Sequence, residues 1–267
     1  MRNIKLTIAY DGTDFQGWQI QKDARTVQGE MERALSRMHK NDIKVVCAGR
    51  TDSGVHAKGQ VINFFSQIND LAPSRFTRAV SSFLPGDISV MCSEHVDDDF
   101  HARYCAQRRH YAYYIFPSPV RIPQYRRYSL RVPVSLDIER LNRMASVLMG
   151  EHDFSTFSVP NEQIRSSVRK VFSASFHPDG DFIVFRISAE AFLWKMVRSI
   201  VGSLLEFEQK GYTDADVRSI LLARDRSLAG MTAHACGLFL DRVEYGSRIS
   251  AISCSGPRSG KKHERNE

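Results

Sequence analysis

From Arg103 to Arg131 the chain has no aspartate or glutamate, although its 267 residues include 30 acidic ones. Seven arginines fall in that window (Arg103, Arg108, Arg109, Arg121, Arg126, Arg127 and Arg131), together with six of the nine tyrosines. Other absences narrow the function. No apolar run approaches the roughly 20 residues a membrane-spanning helix needs. The opening Met1-Arg2-Asn3-Ile4-Lys5 has no signal-peptide core, so a cytoplasmic location without membrane contact is expected. The five cysteines (Cys47, Cys92, Cys105, Cys236 and Cys254) are scattered and none forms a CxxC pair. That argues for a reducing compartment and against a zinc knuckle or a disulfide framework. GxSxG, Walker, GxGxxG and HExxH patterns are missing, so hydrolase, NTPase, dinucleotide and zincin chemistry lose their usual support, and no cofactor is expected.

What is present has the balance of a globular protein, with 42% hydrophobic and 25% charged residues. A net charge of +7 favours polyanionic partners, and the acid-free window says where. Arginine offers forked donors to phosphate, and tyrosine offers faces on which unpaired bases stack. The plainer reading is a β-rich segment with half-buried tyrosines and solvated arginines. In His95-Val96-Asp97-Asp98-Asp99-Phe100-His101 the residue types suit a metal. Successive side chains of an extended chain alternate sides, however, so three aspartates cannot face one ion; a solvated loop and no metal are expected.

The patterning alternates between strand and helix. Ile4, Leu6, Ile8 and Tyr10 read as a half-buried strand, and Thr26 as the cap of a helix carrying Val27, Met31, Ala34, Leu35 and Met38. A strand ending at Cys47, another from Gln60, a helix that starts at Pro73, carries Phe76, Val80 and Phe83 and stops at Pro85-Gly86, and a strand from Ile88 to Val96 follow. The order β-α-β-β-α-β is that of a split ferredoxin-like sandwich. A comparable mixture fills the second half: a strand from Tyr111 to Phe116, a helix capped by Asp137 and stopped at Gly150, and a hairpin around Pro178-Asp179-Gly180. A strongly apolar helix from Phe192 to Phe207, a short one from Asp214 to Leu222 and a strand from Leu238 to Tyr245 complete it. The expected class is α+β, divided into residues 1–105, residues 106–247 and a disordered basic tail over residues 248–267.

Between two apolar segments lies the polar loop Cys47-Ala48-Gly49-Arg50-Thr51-Asp52-Ser53-Gly54-Val55-His56-Ala57. Its glycines permit sharp turns that can present one side chain outward. Asp52 in such a loop is a nucleophile, a general base, a metal ligand or a turn residue. A second charged residue stands out on the apolar helix. Arg198 is surrounded by apolar positions around almost the whole circumference, so it must be paired, reach a cleft or snorkel to solvent. Asp52 is the carboxylate on offer.

These segments resemble the tRNA pseudouridine synthase A family over nearly the full length, to about Tyr245. The resemblance rests on Ala9-Tyr10-Asp11-Gly12-Thr13, Gly17-Trp18-Gln19, Thr26-Val27-Gln28, the loop from Ala48 to Ala57, and Phe100-His101-Ala102-Arg103. It continues through Tyr111-Ala112-Tyr113, His152-Asp153-Phe154, Met196 to Gly202, and Gly237-Leu238-Phe239-Leu240. Ser53 stands where the family often has alanine, Ala112 where a basic residue is common, and His234-Ala235-Cys236 departs from the family stretch. The resemblance implies two ferredoxin-like sandwich domains whose antiparallel sheets meet at a central cleft. It implies isomerisation of uridine to pseudouridine in the anticodon arm of tRNA, at about positions 38 to 40, with no metal or nucleotide cofactor and as a homodimer. Asp52 then corresponds to the catalytic carboxylate, Arg198 to its cationic partner, and Tyr111 to a tyrosine that stacks on the target uracil. Arg50 corresponds to an arginine that fills the place of the extruded base, and Leu238 to a contact beneath that base. Arg103 and Arg109, with Lys22 and Arg25, would follow the RNA backbone.

Overall fold

A computed structural model describes residues 1–160 and 165–246, and the expected basic tail lies outside the described residues. The first half runs β1 (Arg2–Tyr10), α1 (Val27–His39), β2 (Val46–Cys47), β3 (His56–Ser66), α2 (Phe76–Ser81) and β4 (Ile88–His95). The second runs β5 (Ala106–Pro117), β6 (Leu130–Val132), α3 (Ile138–Ser146), β7 (Gly150–Asp153), β8 (Val168–Asp179) and β9 (Phe182–Ala189). It ends with α4 (Met196–Gln209), α5 (Asp214–Ala223) and β10 (Leu238–Tyr245). The class is α+β.

The strands join in the order β4-β1-β3-β10-β5-β9-β8-β7, with β2 on β3 and β6 on β5. Within it the same arrangement occurs twice. With the short strands β6 and β7 set aside and the remaining strands of each unit numbered one to four, both β4-β1-β3-β2 and β10-β5-β9-β8 read four-one-three-two, the split ferredoxin-like order. The two units meet edge to edge, where Phe239 and Leu240 of β10 pair in parallel with His56 and Ala57 of β3. The result is one continuous sheet with a seam at its middle.

Each unit buries its own core. Ile4, Leu6, Ile8, Met31, Leu35 and Phe76 lie in the first, while Tyr113, Ile115, Leu141, Phe185, Ile200 and Leu204 lie in the second. Alternation along β1 sends every second side chain into the first core. Tyr111 packs against both cores, which places it over the seam.

Helix ends follow local chemistry. The Thr26 hydroxyl accepts the Gly29 amide at 3.3 Å, and Lys40 closes α1 in the left-handed region at φ 54°. A reciprocal Thr213–Asp216 box opens α5. The apolar helix starts at Met196 rather than Phe192, because Lys195 adopts φ 59° and breaks the helical path. Arg198 consequently sits in the first turn of α4. Gly150, read as a helix stop, opens β7 at φ 102°, and α3 ends at Ser146.

Candidate active site

The loop around Asp52 links β2 to β3 and runs into the seam, since His56 and Ala57 at its end are the β3 residues that pair with β10. A second loop, residues 11–18, holds it in place. The Thr51 carbonyl accepts the Trp18 amide at 3.0 Å, and the Gly54 amide donates to the Phe15 carbonyl at 3.3 Å. The Thr51 hydroxyl pairs with the Tyr10 hydroxyl at 2.8 Å. Two glycines make the approach possible: a Cβ on Gly12 would lie 2.0 Å from the Val55 carbonyl oxygen, and one on Gly17 would lie 2.9 Å from that of Thr51. Within the loop, Gly54 takes φ 75° and the Val55 amide donates to the Asp52 carbonyl at 3.1 Å.

The carboxylate of Asp52 meets Arg198, whose Nη1 donates to Oδ2 at 2.9 Å. Their side chains are 22% and 16% exposed, shielded yet open enough for a ligand to reach. Arg198 is itself fixed: Nε donates to the Ala233 carbonyl at 2.9 Å, and its own carbonyl accepts the Ala233 amide at 3.1 Å. A charge-assisted bond anchored by a second donor defines the direction of the carboxylate as well as its charge balance. Gly202 lets α4 approach the segment that carries Ala233, since a Cβ there would fall 1.8 Å from the Met231 carbonyl oxygen.

Tyr111 lies on β5 between Leu240 of β10 and Ile187 of β9 and meets Phe192 edge to face at 5.1 Å. Burial pushes its phenol above the ordinary value, and the neighbouring Tyr10 and Asp52 push the same way. At neutral pH it is therefore a neutral hydroxyl on an aromatic plate. Leu238 is buried at the start of β10, directly across from Tyr113. Cys47 is a free thiol near the site, but burial pushes it up to about 11 against the pull of Arg50 and Arg103, so it holds no thiolate at neutral pH.

The expected RNA contacts divide. Arg50, Arg103 and Lys22 are exposed. Arg109 is not, which corrects its reading as a backbone contact. Its guanidinium is buried and donates to the carbonyls of Ala48, Arg103, Ala106 and Glu190. It stitches the start of the Asp52 loop to the turn before β5. Arg25 is exposed as well, and it donates twice to Asp87, at 2.7 and 2.9 Å, pairs with Glu30, and lies 4.2 Å over the Phe15 ring. Two carboxylates already offset its charge, so it braces the 11–18 loop. Tyr113, in the same acid-free window, is fully buried and donates to the His234 carbonyl at 2.6 Å.

Sequence reasoning passed over a second group beside the loop. Asp11 sits 3.1 Å from His56 and accepts the Tyr128 hydroxyl at 2.7 Å, while the Gly12 amide donates to His56 Nδ1 at 3.0 Å. Burial works to raise the Asp11 carboxyl, but bonds from Thr13 and Tyr128 and the nearby His56 hold it below its ordinary value. The Ala9-Tyr10-Asp11-Gly12-Thr13 motif marked Asp11, but nothing in the local pattern points to Tyr128, 117 residues away.

A family profile described as tRNA pseudouridine synthase matches residues 6–105 and 144–246. Among curated proteins, tRNA pseudouridine synthase A of Treponema denticola is 45% identical over 249 residues, covering 91% of this chain and 93% of that protein. The namesake of Moorella thermoacetica is 43% identical over 244 residues, with 91% and 99% covered, and that of an Exiguobacterium strain 41% identical over 245 residues, with 92% and 98% covered. A solved chain from a Cbf5-Nop10-Gar1 complex aligns over 88% of this chain and 57% of its own at 12% identity, with a TM-score of 0.33, a likeness too slight to bear on the fold. The profile spans most of the chain, the relatives cover nine-tenths of it, and the chain belongs to the tRNA pseudouridine synthase A family.

Proposed function

We propose that this protein isomerises uridine to pseudouridine in the anticodon arm of tRNA, at about positions 38 to 40, with Asp52 as the reacting carboxylate. The observation that carries the reading is the 2.9 Å Asp52–Arg198 pair at the seam, beside an aromatic hydroxyl that touches both cores. The chemistry balances within the substrate. The N1–C1′ bond breaks, the uracil turns, a C5–C1′ bond forms, C5 gives up its proton and N1 gains one. Nothing is oxidised or reduced, so the reaction calls on no redox partner.

Each residue then has a task. Asp52 acts at the bond between base and ribose, and Arg198 aims its carboxylate there and offsets its charge. Tyr111 offers a flat face to the uracil and a neutral hydroxyl able to relay a proton. A uridine in a stem must leave the stack first, at a cost of about a few kcal/mol. Arg50, exposed two residues before Asp52, occupies the vacated space with a planar group able to stack and to donate. Leu238 packs beneath the displaced base, and Lys22 and Arg103 hold phosphates along an RNA whose deep groove hides its base edges. The resemblance supports a homodimer, which sedimentation of the purified chain tests, and a cytoplasmic location; no helix among the described residues is long and apolar enough to cross a membrane.

Mapping pseudouridine in unmodified tRNA after incubation with the wild-type chain and with Asp52→Asn tests the assignment. The wild type is expected to modify the anticodon arm, and Asp52→Asn to bind tRNA while modifying nothing. Appreciable turnover by the variant would remove Asp52 from the chemistry.

A further inference from the structure

Thr13, Gly54, Arg126, Arg127 and Cys236 line an open cavity of about 380 Å³. Gly54 belongs to the Asp52 loop, two residues past the carboxylate. The two arginines come from the connection between β5 and β6, just after the short turn Pro123–Tyr125. Arg126 is exposed and makes no ion pair among the described residues. The carboxylate paired with Arg127 is Asp14, at 3.9 Å, with side chains 46% and 68% exposed. An exposed pair at that distance contributes little and yields readily to a better anion. Two available guanidinium groups in a concave surface suit a phosphodiester, which they can hold with several donors at once.

The connection carrying these arginines is latched to the Asp52 loop. The Tyr128 hydroxyl donates to Asp11 Oδ2 at 2.7 Å, and Asp11 Oδ1 accepts both the amide and the hydroxyl of Thr13, at 3.0 and 2.6 Å. Asp11 and Gly12 meet His56, the residue where the loop enters β3. The His56 ring, 1% exposed, stacks on Phe239 of β10 at 4.5 Å and lies against Tyr128 at 5.4 Å. Displacement of the connection would therefore pull on the residues that set the position of Asp52.

We propose that this cavity receives an RNA backbone phosphate close to the reacting uridine, and that the Tyr128–Asp11 bond makes the phosphate subsite and the Asp52 loop one unit. The inference rests on the RNA-modifying reading above. Tyr128 is a positioning residue: it acts on the loop through Asp11.

The test uses the full chain and an unmodified anticodon stem-loop RNA, with affinity measured over a range of salt and turnover under single-turnover conditions. Arg126→Ala/Arg127→Ala should weaken binding about tenfold and flatten the dependence of log affinity on log salt by roughly one unit. Arg126→Lys/Arg127→Lys should restore most of the affinity, and Arg37→Ala/Arg143→Ala, with the same charge loss on exposed helix faces, should not reproduce the defect. Tyr128→Phe keeps the ring packing and removes one hydroxyl, so it should leave affinity within about twofold and slow the single-turnover step about tenfold. Wild-type affinity and salt slope in the double alanine variant would overturn the subsite, and a wild-type rate in Tyr128→Phe would overturn the latch. A wild-type chain that forms no pseudouridine at all would overturn the reading beneath, and the subsite with it.

Discussion

Asp52 and Arg198 illustrate how two charged side chains share one task. A carboxylate in a shielded pocket needs an opposite charge, and a guanidinium on an apolar helix needs an acceptor; the 2.9 Å contact meets both needs. Arg198 also holds the Ala233 carbonyl, so charge alone does not replace it. Arg198→Lys is expected to slow pseudouridine formation about 10- to 100-fold and Arg198→Ala about a thousandfold, with tRNA affinity nearly unchanged. Quenched-flow rates on saturating tRNA read both values, and equal rates for lysine and arginine would refute the aiming role. Arg109 belongs to another kind. Its donors are all occupied by backbone carbonyls, so Arg109→Lys should lower unfolding free energy by about 2–3 kcal/mol in urea titrations and leave RNA affinity within twofold.

Among the elements, the loop of residues 11–18 and helix α4 are the supports of the site, and both depend on close backbone approach. Gly12→Ala would drive a methyl into the Val55 carbonyl, so the variant should lose about 1–3 kcal/mol and most of its turnover, because Asp52 is displaced with the loop. Gly86→Ala, with nothing within 4 Å of the added carbon, is expected to be neutral in the same thermal and kinetic assays. Most of these elements were legible in the sequence. The period-two pattern of β1, the Thr26 cap and the Asp214–Leu222 helix depend on neighbours a few residues apart, and the structure contains each of them. Lys195 shows where local pattern fails: an apolar run continues through it, yet the backbone turns left-handed and moves the start of α4 by four residues. The acid-free window was half legible for a similar reason. Its charge is real, but whether an arginine faces solvent or a set of carbonyls is decided by strands far off in sequence, as Arg109 and Ala48 demonstrate.

For the molecule as a whole, the decisive feature is the continuous sheet, in which the ladder between two units of the same strand order consists, among the described residues, of two parallel residue pairs. Asp52 comes from one unit and Arg198 and Tyr111 from the other, so the site exists only when both are docked. No sequence pattern announces that joint, because a two-residue parallel pairing leaves no periodicity. Buried His56 and half-buried His110 make the assembly sensitive to acid. Burial lowers His56, against the pull of Asp11, and burial lowers His110, with Arg242 adding to it and Glu244 at 2.8 Å opposing it. The unfolded chain thus takes up these protons first, near the ordinary value of about 6.5. Their contribution to stability is complete above that value and declines as pH falls through it toward the folded values. The melting temperature should accordingly hold steady from pH 8 to 7 and drop between pH 6.5 and 5, before the depressed carboxyls of Asp11 and Asp153 titrate. His110→Asn should flatten that fall, and an unaltered profile would show that His110 does not contribute. The central claim, that Asp52 drives the exchange of an N1 for a C5 bond at uridine, has a direct readout in the fate of the C5 proton. With tRNA carrying tritium at C5 of its uridines, the wild-type chain is predicted to release label to water in step with pseudouridine formed in the anticodon arm, and Asp52→Asn to release none. Release by Asp52→Asn at a comparable rate, or none by the wild type, would contradict it.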